Sequence, residues 1–487
     1  MNRPTTIDRA AATDSVRAIA DQAFSRAAGA PLVGGNSVRL LIDATENYPT
    51  WLAAIRSARR WVHFESYIIH DDSAGHTFAD ALIEKAQQGL DVRLIYDWMG
   101  ALGKTSWRFW NRLRAGGVQV RCYNPPRFDS PFSWLSRDHR KMICVDGTVG
   151  YVTGLCVGRM WVGEPEKNIE PWRDTGVEIR GPAVADIERA FAQIWAMTGT
   201  PIAEQESVVT DAIAGDVDIR IIATVPATAG LFRLDQLVTA IARERVWLTD
   251  AYYAGTAPYL QALRAASQDG VDVRLLVPNA TDIPLLRPLS RTGYRPLLEA
   301  GVRVFEWNGT MLHAKTAVAD GRWARVGSTN LNIASWLGNC ELDAFIENDD
   351  FARRMEQQYL QDLENATEVV LDARHKVRSP GEPRHPVAMS TSGGGSAGRA
   401  AAGALRIGNA VGAAFTNRRV LQPVERGLMF GTGLLLLALA ILFYLFPHAA
   451  SYPLIVLLGW TALALIYRSY KLGRDRRKKG TNEGTSS

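Results

Sequence analysis

Apolar and polar positions alternate with two different periods along the first 370 or so residues, and the same succession of periods occurs twice. Val16, Ile19, Ala20, Ala23, Phe24 and Ala27 recur at helical spacing behind Ser15, a capping residue. They predict an amphipathic helix within residues 1–34 that docks on the body of the protein. A helical stretch through Ala54 and Ile55 then leads into an apolar strand at Trp61–His63, followed by Glu65, Ser66 and Tyr67. The pattern returns as Ala240 and Ile241, a strand at Trp247–Thr249, then Asp250, Ala251 and Tyr252. The segment Gly89–Ile95 matches Gly270–Leu276, and Ala115–Val120 parallels Ala300–Val304. Each half reads helix, apolar strand, helix, Gly-Val-x-Val-like strand, helix, strand, and a last strand considered below. A helix closes each half, from Asp186 to Trp195 and from Asp350 to Leu363. Strands alternating with helices predict an α/β sheet built twice, with lobes at residues 35–205 and 206–373.

Beyond the second lobe the pattern is lost. Residues 374–426 hold Pro- and Ser/Gly-rich runs at Ser379–Pro386 and Ser390–Ser396, which cannot fill a core and predict a flexible linker. Leu405, Val411 and Phe415 give that linker one weakly apolar face, suited to an interfacial helix. Gly427–Phe446 is a run of 20 residues without a charge, and Tyr452–Tyr467 is a shorter apolar run after a turn at Pro447–Ser451. Together they predict a two-helix transmembrane hairpin over 427–467. Arg418, Arg419 and Arg426 precede it. Arg468, Lys471, Arg474, Arg476, Arg477, Lys478 and Lys479 follow it in a basic tail, 468–487. The turn carries no Lys or Arg, so both ends and the large N-terminal part are expected in the cytoplasm.

Composition adds little to this picture. The chain has 487 residues, 47% hydrophobic, with a net charge of +5 that is partly concentrated in the tail, which argues against nucleic-acid binding. Cys122, Cys144, Cys156 and Cys340 show no paired spacing, so free thiols are expected and a zinc site is not.

The chemistry lies in the last strand of each half. His139, Lys141 and Asp146 recur as His313, Lys315 and Asp320, both in the spacing H-x-K-x4-D, with the histidines 174 residues apart. One such stretch is an ordinary strand with alternating His and Lys. Two, a domain length apart, are what two phosphate-handling half-sites require. Facing His-x-Lys strands offer two imidazoles and two ammonium groups to a phosphodiester. The lysines neutralise its oxygens and the charge of the transition state. One neutral imidazole can attack phosphorus, and the other, protonated, can give its proton to the departing alcohol. This chemistry needs no metal and no organic cofactor. Asp146 and Asp320, each followed by Gly, read as turn builders. Each imidazole also needs its second nitrogen held. Asp174 follows His139 by 35 residues and Glu341 follows His313 by 28, each at the start of a strand-like run, so each carboxylate is expected beside the histidine of its own half.

These features resemble the phospholipase D superfamily, and within it the bacterial cardiolipin synthases. The resemblance covers roughly Gly35 to Asp372 and rests on the paired H-x-K-x4-D motifs, Trp172-Arg173-Asp174 with Asn339-Cys340-Glu341, and the Gly181–Val184 run. The superfamily motif continues as Gly-Gly/Ser-x-Asn. Gly327-Ser328-Thr329-Asn330 fits, which adds Ser328 and Asn330 as orienting and phosphate-binding groups. Thr153-Gly154-Leu155-Cys156 departs from it, with Cys156 in place of the amide. The resemblance implies two lobes about a pseudo-two-fold axis with one shared site, His139 as nucleophile and His313 as general acid and base. It implies transfer of a phosphatidyl group between two phosphatidylglycerol molecules with release of glycerol, in a multi-pass protein of the bacterial inner membrane. Phospholipid hydrolysis uses the same residues and stays open; a nuclease of the same superfamily is the more distant alternative. Exposed aromatics at Phe128, Phe132 and Trp134 would suit a lipid-facing entrance, with Arg159, Trp161 and Trp172 at the same mouth.

Overall fold

The structure, a computed structural model, describes residues 21–127, 135–167, 169–203, 212–283, 290, 291, 293–371, 434, 437, 438 and 440–483. The aromatics Phe128, Phe132 and Trp134, the linker 374–426 and half of the first apolar run lie outside these residues.

The first half supplies strands β1 (Val33–Ile42), β2 (Trp61–Ser66), β3 (Asp91–Asp97), β4 (Gln119–Tyr123), β5 (Lys141–Val145), β6 (Val149–Thr153) and β7 (Thr175–Arg180). The second supplies β8 (Val217–Thr224), β9 (Arg245–Thr249), β10 (Asp272–Ala280), β11 (Arg303–Met311), β12 (Thr316–Ala319), β13 (Trp323–Gly327), β14 (Glu341–Glu347) and β15 (Ala366–Val369). Among the described residues all fifteen join one sheet. From its centre the order runs β1-β7-β6-β5-β2-β3-β4 on one side and β8-β14-β13-β12-β9-β10-β11-β15 on the other. The two sides repeat one order, apart from the extra edge strand. In each half three parallel strands (β2, β3, β4 and β9, β10, β11) adjoin an antiparallel set.

The halves meet where β1 and β8 pair antiparallel, with Val33 opposite Ile219 and Asn36 opposite Val217. Asn36 is fully buried there. Its amide nitrogen donates to the carbonyls of Val33 (2.7 Å) and Val217 (3.2 Å), and its oxygen accepts from Ala183 N–H (2.8 Å). All three bonds satisfy groups at an irregular register. Neither leading strand belongs to the predicted succession. The opening Gly34-Gly35-Asn36 of β1 reads locally as a turn, and only its partner makes it a strand.

The two closing helices, Val184–Met197 and Asp349–Glu364, share one apolar cluster that spans both halves. The second shows why it forms. Asn348 caps it, its side chain accepting from Phe351 N–H at 2.9 Å, and Asp349 and Asp350 suit the positive end of its dipole. Phe351, Ala352, Met355 and Tyr359 then fall on one buried stripe. In the first helix Phe191 and Ile194 are fully buried, and truncating Phe191 to Ala costs about 3–5 kcal/mol.

Residues 21–28 are helical, and Phe24 sits edge-on to Trp323 (5.9 Å) and Phe345 (6.4 Å) in the second half. Pro447–Glu483 forms a helix of 37 residues. The turn predicted at Pro447–Ser451 is thus the first turn of that helix, where a proline's missing N–H is harmless. Among the described residues no helix is long and apolar enough to cross a membrane, so the two-span hairpin and the multi-pass topology gain no support from them.

Candidate active site

The two histidine segments are built by strand-like contacts between the halves. His139 N–H donates to Cys340 O (2.9 Å), and Cys340 N–H to Arg137 O (2.8 Å). Likewise His313 N–H donates to Arg173 O (2.7 Å), and Arg173 N–H to Met311 O (3.0 Å). The histidine segment of each half therefore runs beside the carboxylate segment of the other. The side chains follow. His139 Nδ1 lies 2.9 Å from Glu341 Oε2, and His313 Nδ1 lies 2.7 Å from Asp174 Oδ2. This corrects the pairing expected from sequence distance, since neither histidine takes the carboxylate of its own half. All four groups are buried. A carboxylate at Nδ1 fixes the proton there and leaves Nε2 as the reactive nitrogen of each ring.

Lys141 and Lys315, both 1% exposed, donate from Nζ to the carbonyls of His139 and His313 respectively. Each also lies near a tyrosine at the end of a parallel strand. Lys141 Nζ is 5.2 Å from the Tyr67 ring centre and Lys315 Nζ is 5.7 Å from that of Tyr252. Tyr67 meets the His139 ring edge-on at 4.9 Å, and Tyr252 meets the His313 ring at 5.7 Å. Sequence reasoning aligned the Glu65–Tyr67 and Asp250–Tyr252 segments without placing them in the site. Their position just after β2 and β9, the neighbours of the His/Lys strands, was the available signal.

Asp146 and Asp320 lie outside this group, at the other ends of β5 and β12. Asp146 takes a left-handed conformation (φ 53°) and accepts from the backbone N–H groups of Arg59, Arg60 and Trp61 at 2.8, 2.8 and 2.9 Å. Asp320 (φ 51°) does the same for Arg243, Glu244 and Arg245 at 2.8, 2.9 and 2.9 Å. They build turns at the ends of these strands away from the histidines.

Ser328 Oγ donates to Glu341 Oε2 (2.6 Å), and Asn339 Nδ2 donates to Glu341 Oε1 (3.1 Å). Asn330 is buried, and among the described residues its side-chain oxygen has no partner. The first half differs at each equivalent position. Gly154 stands where Ser328 does, and a Cβ there would come within 2.2 Å of Asp174 Oδ1. Cys156 stands where Asn330 does and is buried; its carbonyl accepts from Tyr48 Oη at 2.8 Å. Trp161 and Trp172 wall the His313 side, with ring centres 5.6 and 5.5 Å from the imidazole.

Two buried arginines, to which sequence reasoning assigned no role, hold the carboxylate segments. Arg140 donates from Nε to Glu341 O (3.2 Å), and its other nitrogens reach Ala190 O (2.7 Å), Gln193 Oε1 (3.0 Å) and Thr224 O (2.9 Å). Arg173 donates to Asp174 O, to Thr175 Oγ1 (2.8 Å), and through Nε and Nη2 to both oxygens of Asp362 at 2.9 Å each.

Electrostatics match the geometry. Burial lowers the His139 pKa, with Lys141 and Lys315 adding to the fall and Glu341 opposing it. Burial, then Lys315, brings His313 down to about 3. Burial and the Lys141 charge bring Lys315 down to about 8. Burial would raise Asp174 and Glu341, but the facing imidazoles and lysines outweigh it, and both end below the usual carboxylate range. The site is thus two neutral imidazoles on ionised carboxylates beside two ammonium groups.

A duplicated α/β sheet with two His–Lys pairs and crossed carboxylates defines a phospholipase D-like enzyme. The family model for the cardiolipin synthase, phospholipase D-like domain matches residues 51–195 and 237–363. Cardiolipin synthase 2 of Bacillus anthracis is 32% identical over 346 residues, 70% of this chain and 67% of the relative. Cardiolipin synthase A of Pseudomonas syringae is 31% identical over 385 residues, 77% of this chain and 78% of the relative. The phosphatidylserine synthase of Haemophilus influenzae shares the fold, with a TM-score of 0.55 at 15% identity, over 73% of this chain and 93% of that one. The chain belongs to the cardiolipin synthase family of phospholipase D-like enzymes.

Proposed function

We propose that this enzyme is a phosphatidyltransferase that makes cardiolipin from two molecules of phosphatidylglycerol and releases glycerol. The observation that carries the reading is the pair of crossed dyads, His139–Glu341 and His313–Asp174, with Lys141 and Lys315 beside them. His139 Nε2 attacks phosphorus as the bond from phosphorus to the glycerol oxygen breaks, and His313, which takes up a proton at Nε2 when the phosphodiester binds, gives that proton to the oxygen. A phosphatidyl–His139 intermediate results. A hydroxyl of the second phosphatidylglycerol then gives its proton to His313 and attacks phosphorus, and the bond to His139 breaks. Lys141 and Lys315 stabilise the charge on the non-bridging oxygens at each stage. Asp174 and Glu341 stay ionised and steady the imidazolium that forms.

The substrate would be an anionic phospholipid drawn from a membrane. The apolar runs 427–446 and 452–467 would hold the enzyme at the bacterial inner membrane, with the catalytic region in the cytoplasm; the basic tail would meet anionic head groups. The test is incubation of the purified full chain with phosphatidylglycerol in detergent micelles, followed by mass spectrometry. Cardiolipin plus glycerol is the expected outcome. Phosphatidic acid plus glycerol would make the enzyme a hydrolase acting through the same residues.

A further inference from the structure

The two dyads are steadied by different donors, and the difference has a steric cause. On the His139 side, the Glu341 oxygen that faces Nδ1 also accepts from Ser328 Oγ at 2.6 Å. In the other half the residue equivalent to Ser328 is Gly154, where even a Cβ would overlap Asp174. No side chain at that position can serve Asp174. Instead, Trp161 Nε1 donates at 3.1 Å to Asp174 Oδ2, the same oxygen that lies 2.7 Å from His313 Nδ1. The second oxygen, Oδ1, accepts from Thr175 N–H at 2.8 Å.

Trp161 is 1% exposed and is carried on a single helical turn, Arg159–Val162. That turn is pinned from three sides. Gly158 N–H donates to Tyr48 Oη at 3.0 Å, Arg159 N–H donates to Asp72 Oδ2 at 2.8 Å, and Met160 O accepts from Trp172 N–H at 3.0 Å. The indole stands edge-on to both the His313 ring (5.6 Å, 84°) and Trp172 (4.9 Å, 61°). A tryptophan so placed keeps water from the Asp174–His313 bond and presents one donor to it.

We infer that Trp161 is the positioning residue of the His313 dyad, doing for the proton-transfer half of the reaction what Ser328 does for the nucleophilic half. The inference rests on the two-histidine transfer proposed above. By drawing charge from Asp174 Oδ2, the indole N–H weakens the hold of the carboxylate on the imidazolium, so that His313 releases its proton readily to a poor leaving group. The other charged groups acting on His313 are Lys315 and Lys141, which act in the same direction.

The test compares Trp161→Phe with Trp161→Tyr in the full chain. Both lose the indole, and Tyr restores a donor. In Trp161→Phe, kcat with phosphatidylglycerol falls about tenfold, part of the roughly 10²–10⁴-fold that a positioned acid supplies, while KM holds. Release of p-nitrophenol from a phosphatidyl p-nitrophenyl ester, which needs no proton, stays near the wild-type rate. One limb of the kcat–pH profile moves upward, because a less neutralised Asp174 holds the His313 proton more tightly, and the other limb stays. Trp161→Tyr returns the rate and the limb towards wild type. If Trp161→Phe does not fold, replacing Trp161 with benzothienylalanine exchanges only N–H for sulfur within the same shape. An equal loss on both substrates, or unmoved limbs in either donor-free variant, overturns the inference. Wild-type protein inactive on both lipids would instead overturn the transferase reading.

Discussion

His139 and Glu341 lie 202 residues apart in the chain and 2.9 Å apart in space, and each belongs to a different half of the duplicated sheet. The reciprocal pair, His313 and Asp174, is separated by 139 residues. The site is assembled by exchange, and its properties should betray both partners of each pair.

Replacing either histidine should separate the two chemical roles. His139→Ala should abolish turnover, since no nucleophile remains. His313→Ala should lose about 10²–10⁴-fold on glycerol release but far less on an ester with an acidic leaving group. His313→Ala enzyme quenched in denaturing detergent at mildly alkaline pH, where a phosphorus–imidazole bond survives, should carry phosphorus on His139. Phosphorus on His313 in the His139→Ala enzyme would exchange the roles.

Binding of an anion should draw a proton into the site. His313 is neutral in the free enzyme at pH 6, because its pKa is brought down to about 3, whereas Lys315, at about 8, is already charged. A bound phosphodiester offsets the lysine charges that depress His313 and raises its pKa, so proton uptake rather than release follows. Calorimetry with a non-hydrolysable phosphonate analogue at pH 6, in buffers of different ionisation enthalpy, should find net proton uptake. An enthalpy independent of buffer would contradict it.

Asp362→Ala should be costly although Asp362 touches no reacting group. It would take from the Arg173 guanidinium, whose side chain is 7% exposed, its two-pronged partner and leave Asp43, at 3.4 Å, to meet the charge. Breaking a buried pair from one side costs about 3–5 kcal/mol. A matching drop in the midpoint of denaturant unfolding is expected, with loss of activity because Arg173 carries the carbonyl that fixes His313. A stability change within the scatter typical of surface substitutions would discount the pair.

Gly154→Ala should leave the sheet folded yet disable the site. Its methyl group would displace Asp174 from beneath His313, and misplacement by about 1 Å can cost about a hundredfold in rate. Comparison of kcat with the circular dichroism spectrum distinguishes this from unfolding. Near-normal turnover would show that Asp174 has room to shift without consequence.

What was legible in the sequence was what is local. The duplicated order of strands, the His/Lys motifs, the capped helix at Asp349 and the aspartate turns at Asp146 and Asp320 each depend on residues a few positions apart. The crossed dyads were not legible, because each carboxylate follows the histidine of its own half by 35 or 28 residues and lies 139 or 202 residues from its actual partner, so sequence distance favours the wrong pairing. Strand β1 was hidden for a related reason, since Gly34, Gly35 and Asn36 become strand only against β8. Arg140 and Asp362 act through bonds to atoms far along the chain, and each looks ordinary in its own neighbourhood; Trp161 was placed near the site but its bond to Asp174 was not foreseen. The apolar turn at Pro447 shows the opposite error, in which a proline read as a break begins a helix.

The exchange of carboxylates also bears on inheritance. A duplication whose copies each kept a whole site could let one copy drift while the other worked. Here each copy holds only the histidine of one dyad and the carboxylate of the other, so a lesson lost by either is lost to both. The copies have diverged in their details, serine against tryptophan and asparagine against cysteine, but neither has been free to become a spare.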